Sequence, residues 1–267
     1  MEEKFTTYLL EGNLAKNTIS AYVYAVNDYF SRYKVINKKN LLLYKTHLIE
    51  TFKPKTVNLR LQALNKYLEF LKKRKLHLKS VKVQQRSFLE NVISNADYEF
   101  LKNKLSNEEN QTWYFVVRFL AATGARVSEL IQIKVEHVNA GYFDLYGKGG
   151  KNRRLFIPIT LQKETLEWLK CIGVASGYLF LNRFGKRITT RGISQQLKNY
   201  AKKYGMNKDV VYPHSFRHRF AKNFLERCND IAFLADLMGH DSIETTRIYL
   251  KKTASEQQEL VDAIITW

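Results

Sequence analysis

Apolar residues recur at helical spacing through most of this chain. Behind Asn17-Thr18, which can cap a helix, Ile19, Tyr22, Val26, Tyr29 or Phe30, and Tyr33 fall on one face. A second short helix fits residues 41–51. A third fits residues 56–73, with Val57, Leu61, Leu64, Leu68 and Leu71 on one stripe. The aromatics on these faces read as core. The period lapses over residues 79–87, which are polar and basic. Residues 1–78 are therefore expected to form an all-α domain, 79–90 a basic linker, and 91–267 a larger second domain.

In the second domain Asn95 can cap a helix over 96–105, and residues 113–122 are apolar on most sides, as a core helix would be. Thr123-Gly124 interrupts that helix, and Arg126 opens the next helical segment through Ile131. Tyr142-Phe143-Asp144-Leu145-Tyr146 and Arg154-Leu155-Phe156-Ile157-Pro158 read as two strands around the turn Gly147-Lys148-Gly149-Gly150-Lys151. Further helices are expected near 161–170, 189–204, 215–227, 230–238 and 243–250, with a tail helix in 254–267. The expected fold class is mainly α with a small antiparallel β-sheet, an α+β domain behind an all-α bundle.

Composition narrows the function. The chain has 44 Lys/Arg against 25 Asp/Glu, a net charge of +19, which favours polyanionic partners. Residues 1–85 alone carry 17 Lys/Arg and 6 Asp/Glu, a net of +11 that suits a clamp for a phosphate backbone, with the lysines and Arg32, Arg60 and Arg74 as contacts. No apolar run approaches the ~18 residues of a bilayer span. Met1-Glu2-Glu3-Lys4 has no secretory core behind it, so a cytoplasmic protein is expected. Cys171 and Cys228 are unclustered and read as reduced, buried thiols.

The chemistry-bearing residues are individually ambiguous. Arg126 precedes Glu129 by one helical turn, as an ion pair would. Alternatively, Glu129 orients the planar guanidinium toward a phosphate. His214 and Arg217 share a helix face at i, i+3, and Pro213 suits the start of that helix, whose first amides favour an anion. Lys148 sits at a glycine-rich hairpin tip. That turn is no nucleotide-binding loop, because no Ser/Thr follows the lysine and its flanks are strands. Asp241 with Glu244 makes a capping box for the segment bearing Tyr249, which alone would read as a core tyrosine. His214 and His218 also have the i, i+4 spacing of a zinc pair. However, no HExxH or cysteine cluster supports them, and Arg217 between them opposes a cation.

The ordered set is more specific. TGARVSEL, GKGGK, HSFRH, LMGH and the final Tyr249 resemble the signature of the tyrosine recombinases, the phage-integrase family. The likeness runs through the first third, where Thr18, Tyr22 and Phe30 sit as in that family's core-binding domain, a SAM-like helical bundle. The resemblance implies that Arg126 and Arg217 grip the scissile phosphate of double-stranded DNA. Lys148, with Lys151 as the alternative, would protonate the departing 5′-oxygen. His214 would exchange protons with the Tyr249 hydroxyl, and His240 would hydrogen-bond the phosphate. Tyr249 would attack to give a 3′-phosphotyrosine link. It further implies four protomers on two DNA sites, strand exchange through a Holliday junction, and a tail helix bearing Leu260, Val261, Ile264, Ile265 and Trp267 that docks on a neighbour.

No metal or other cofactor is expected, because the bond energy is kept in the protein–DNA link and the chain offers no carboxylate cluster for Mg²⁺. Two alternatives stand beside recombination: a topoisomerase IB-like relaxing enzyme and a non-cleaving DNA-binding regulator. The first helix begins almost at Met1, so no additional arm-binding domain is expected, which favours a Xer-like, inversion or small mobile-element enzyme. Integration, excision, inversion and dimer resolution all remain open.

Overall fold

The computed structural model describes residues 2–83, 91–146, 152–250 and 254–265. The chain divides into two compact units, Met1–Gln85 and Arg86–Trp267. No helix among the described residues is long and apolar enough to cross a membrane.

The first unit is built from α1 (Glu2–Glu11), α2 (Lys16–Arg32), α3 (Lys38–Thr51) and α4 (Pro54–Phe70). Their apolar stripes meet in a core that includes Phe5, Leu9, Tyr29, Leu41, Tyr44, Leu61 and Tyr67, with the Phe5 and Tyr67 rings edge to face at 4.9 Å. The α2 cap differs from expectation: Ala15 occupies it without a side-chain bond, and Asn17 and Thr18 lie inside the helix. Arg60 is also not the phosphate contact its charge suggested. It is buried, 2.5 Å from Asp28 Oδ2, which also accepts from Tyr44 Oη at 2.6 Å, and the Phe52 ring covers the guanidinium at 4.2 Å. Asp28 neutralises a cation that the helix would otherwise bury alone. Residues 78–81 run along α4. Asn65 exchanges two hydrogen bonds with the Leu78 backbone, and Asn58 exchanges two with that of Val81.

The second unit begins with α5 (Asn95–Ser106), capped by Ser94 rather than Asn95: Ser94 Oγ accepts from the Asp97 amide at 3.0 Å. Helix α6 (Thr112–Thr123) buries Val116, Val117, Phe119 and Leu120 completely, as its all-round apolar sequence requires. It is followed by α7 (Val127–Leu130) and α8 (Val135–Ala140), the latter a short helix without a clear period in the sequence. Strands β1 (Tyr142–Tyr146) and β2 (Asn152–Phe156) pair antiparallel, with Phe143 opposite Leu155 and Tyr146 opposite Asn152. The second strand thus starts and ends two residues earlier than expected, and Pro158 caps the next helix instead.

Then follow α9 (Ile159–Cys171), α10 (Thr190–Lys203), α11 (Pro213–Arg227), α12 (Ile231–Met238), α13 (Ile243–Thr246), a 3₁₀ turn (Arg247–Leu250) and α14 (Ala254–Ile264). Ser242, not Asp241, caps α13, and Glu244 pairs with Arg247 at 3.0 Å. Cys171 ends α9 and Cys228 follows α11, and both are exposed rather than buried. Ala221 and Leu225 of α11, Leu234 and Met238 of α12, and Tyr249 of the 3₁₀ turn form a small separate core, which holds these three elements together.

Candidate active site

Two glycine-stopped helices bring the site together. Helix α6 ends at Gly124 with φ +61°, where an added Cβ would fall 2.5 Å from the Phe220 ring. That turn sends the chain directly into Arg126. Glu129 then braces Arg126 twice: its Oε2 accepts from the Arg126 amide at 2.7 Å and its Oε1 from Nη1 at 2.9 Å. Helix α12 ends at Gly239 with φ +59°, and the next residue is His240.

The last carbonyls of a helix have no partner within it and carry the negative end of its dipole. In α12 three arginines take them in succession. Arg153 donates to the Leu237 carbonyl. Arg217 Nη2 donates to that of Met238 at 2.6 Å, and Arg126 Nη2 to that of Gly239 at 3.1 Å.

Arg217 is the most unusual of the three. It is 1 % exposed, and its Nη1 donates to the Gly124 carbonyl at 2.5 Å. Among the described residues its bonds go to carbonyls and to His240, with no carboxylate among them. Burial and the charges of Arg126 and Arg153 push its pKa down to about 10. It is still a cation at neutral pH, and it lacks a bonded counter-charge.

His240 Nε2 lies 3.1 Å from Arg217 Nη2. A guanidinium only donates, so Nε2 accepts and the ring proton is on Nδ1, which faces Thr246 Oγ1 at 2.8 Å. Burial and the surrounding arginines hold the His240 pKa at about 4, so the ring is neutral. The Tyr249 ring is 4 % exposed and nearly parallel to the His240 ring, with centroids 6.1 Å apart. The nearby Arg217 guanidinium favours the ionised form of Tyr249. Burial outweighs that effect and raises the phenol pKa, so the Tyr249 hydroxyl is protonated. The His214 pKa is lowered by desolvation and by Arg217 and Arg126, leaving a neutral base. Its ring meets His218 edge to face at 4.6 Å, and His218 in turn stands 5.3 Å from the Tyr249 ring.

Arg126, Glu129, Arg217 and His240 are therefore joined through hydrogen bonds at the end of α12, with the Tyr249 ring against His240 and His218, and His214 on the far side of His218. Lys148 and Lys151 lie outside the described residues. Arg153 and Thr246 belong to the cluster although the motifs do not mark them, and so does His218, the last residue of HSFRH, to which the resemblance assigns no role. Arg153 had a readable signal: on a strand it shares a face with the buried Leu155, so a charge points inward. Among the described residues no group of three potential metal ligands occurs.

His218 and His240 both have folded pKa values near 4, against about 6.5 in an unfolded chain. The unfolded state binds protons first, so stability is complete above pH 6.5 and declines as pH falls toward 4. With the shifts halved because both rings are partly open to solvent, the melting temperature is expected to drop on the order of 5–10 °C across that window. A double His218→Asn, His240→Asn substitution should flatten the decline. An unchanged slope in a thermal melt would show that these rings are not its source.

Residues 91–256 match the phage integrase family. The chain belongs to that family and is a tyrosine-type site-specific recombinase. It is 32% identical over 268 residues to "Tyrosine recombinase XerA" of Pyrococcus horikoshii, covering 97% of this chain and 92% of the relative. Its fold is similar to that of the XerH recombinase bound to difH substrate in a pre-cleavage complex (TM-score 0.69, 20% identity, 91% of this chain and 79% of the other). It is also similar to that of lambda integrase, solved as a tetramer bound to a Holliday junction (TM-score 0.74, 16% identity, 92% and 75%).

Proposed function

We propose that Tyr249 attacks a scissile DNA phosphate held by Arg126 and Arg217, forming a 3′-phosphotyrosine link and releasing a 5′-hydroxyl. The observation that carries this reading is the buried Arg217, which bonds to carbonyls and to His240 and to no carboxylate among the described residues, with the buried Tyr249 beside it. A desolvated cation without a counter-ion is costly unless an anion completes the site, and a phosphodiester is an anion that a phenol can attack. Three arginines against the single Glu129 leave the cluster net positive, which suits the extra charge of a pentacoordinate phosphorane.

In this reading the neutral His214 takes the tyrosine proton, using the His218 side of the pocket. His240 turns its ring from Arg217 to the phosphate, and Lys148, or Lys151, protonates the 5′-oxygen. The reaction needs no metal or ATP, since each ester bond broken is replaced by another.

Residues 1–78 supply the electropositive DNA-binding domain, with Arg60 withdrawn into its core, residues 79–90 the link, and 91–267 the catalytic domain. Four copies act on paired sites and exchange strands through a Holliday junction, in the cytoplasm. The exposed Val261 and Ile264 of α14, and Ile265 just after it, fit a tail that docks on a neighbouring copy.

The test starts from duplexes recovered by binding from random-sequence DNA. A nick just 3′ of the cleavage point traps the intermediate. A denaturant-resistant adduct is expected to retain label placed on the strand 5′ of the break, and a plasmid carrying two such sites should recombine. Label retained only from the opposite side would overturn the polarity. Relaxation of plasmids without recombination would favour a topoisomerase.

A further inference from the structure

We propose that Arg153 is a positioning residue for the cleavage step: it holds Glu129 away from full pairing with Arg126 and so keeps the Arg126 charge available to the phosphate. This rests on the reading of Arg126 as a phosphate ligand. The Arg153 side chain is 11% exposed and that of Glu129 12%, so both are largely shielded from water. Arg153 Nη2 donates to Glu129 Oε2, the oxygen that also accepts from the Arg126 amide, while Oε1 takes Arg126 Nη1 at 2.9 Å. The carboxylate is thus stretched between two guanidiniums. Released from Arg153, it would be free to swing into a two-pronged pair with Arg126, the strongest geometry available to it, and cancel that charge.

Arg153 is itself fixed at its other end. Nη1 donates to the Leu237 carbonyl, and the side chain passes beneath Gly239, where an added Cβ would meet Arg153 Cδ at 2.4 Å. One side chain therefore joins β2, Glu129 of α7 and the last turn of α12, just ahead of His240. Its neighbour on the strand, Arg154, points the other way. Arg154 is 46% exposed and pairs with Asp144 at 2.8 Å, so it loses the same charge when substituted without touching the cluster.

A neutral methylphosphonate at the scissile position separates a charge effect from a general loss of structure, because it places less demand on the arginines. Single-turnover cleavage of both linkages gives a ratio that does not depend on how much of each preparation is folded. Arg153→Gln is expected to slow phosphodiester cleavage by about 10- to 100-fold and methylphosphonate cleavage by no more than about threefold. Arg153→Lys, which keeps one cationic contact, should fall between Arg153→Gln and the unsubstituted protein. Arg154→Gln should stay within about twofold on both linkages.

Equal losses on the two linkages for Arg153→Gln, or a matching effect of Arg154→Gln, would overturn the proposal. Arg126→Ala is the control for the reading beneath it. If Arg126→Ala shows the linkage dependence and Arg153→Gln does not, only the role of Arg153 falls. If Arg126→Ala lacks the dependence, the phosphate contact falls and the role of Arg153 with it.

Discussion

Tyr249→Phe should form no covalent adduct with nicked site DNA, a loss of at least about 10⁴-fold, while still binding that DNA. The substitution removes one oxygen from a ring that is otherwise packed among Ala221, Leu225, Leu234 and Met238. Phenylalanine fills the same space, and losing the polar hydroxyl should cost no more than about 1–2 kcal/mol of stability. The chain has sixteen tyrosines. Several, such as Tyr29 and Tyr67, are buried with raised pKa values, but they lie in the first unit, remote in sequence from the arginine cluster. Tyr249 combines burial with a nearby guanidinium and neutral imidazoles beside its ring. A denaturing gel with end-labelled DNA gives the answer, and an adduct formed at the normal rate by Tyr249→Phe would remove it as the nucleophile.

The second large effect is expected at Arg217. Arg217→Lys keeps the charge but cannot reach the Gly124 and Met238 carbonyls and the His240 ring together, because an ammonium lacks the planar fork. Single-turnover cleavage should fall by about 10²–10³-fold. Sulfate should raise the melting temperature of the unsubstituted protein more than chloride at matched ionic strength, by filling the anion site, and this increment should shrink in the variant. Cleavage within about threefold of the unsubstituted rate would mean that Arg217 supports the fold and not the phosphate.

The elements legible in the sequence were those whose burial follows one clean period. The stripe of α4 and the apolar run of α6 stand where their spacing put them, and the Gly124 stop was marked by composition. Helix α8 leaves no such mark, because six residues are too few to show a period. The caps at Ser94 and Ser242 were missed by one position, since two residues capable of capping stand side by side at both places. The burial of Arg60 is not legible locally, because its partner Asp28 is 32 residues away. The motif arginines and histidines were legible as an ordered set, and the structure gathers the described ones. Their bonding to one another was not, because much of it runs through main-chain carbonyls, which every sequence contains.

The row of carbonyls at the end of α12 therefore stores positional information that side-chain substitution does not erase. Changing Leu237 or Met238 to another helix-compatible residue leaves both acceptors where they are. One residue added within α12 would instead turn them by about 100° and detach three arginines at once. In this part of the molecule the length and stopping point of a helix, more than the identity of its residues, define the site.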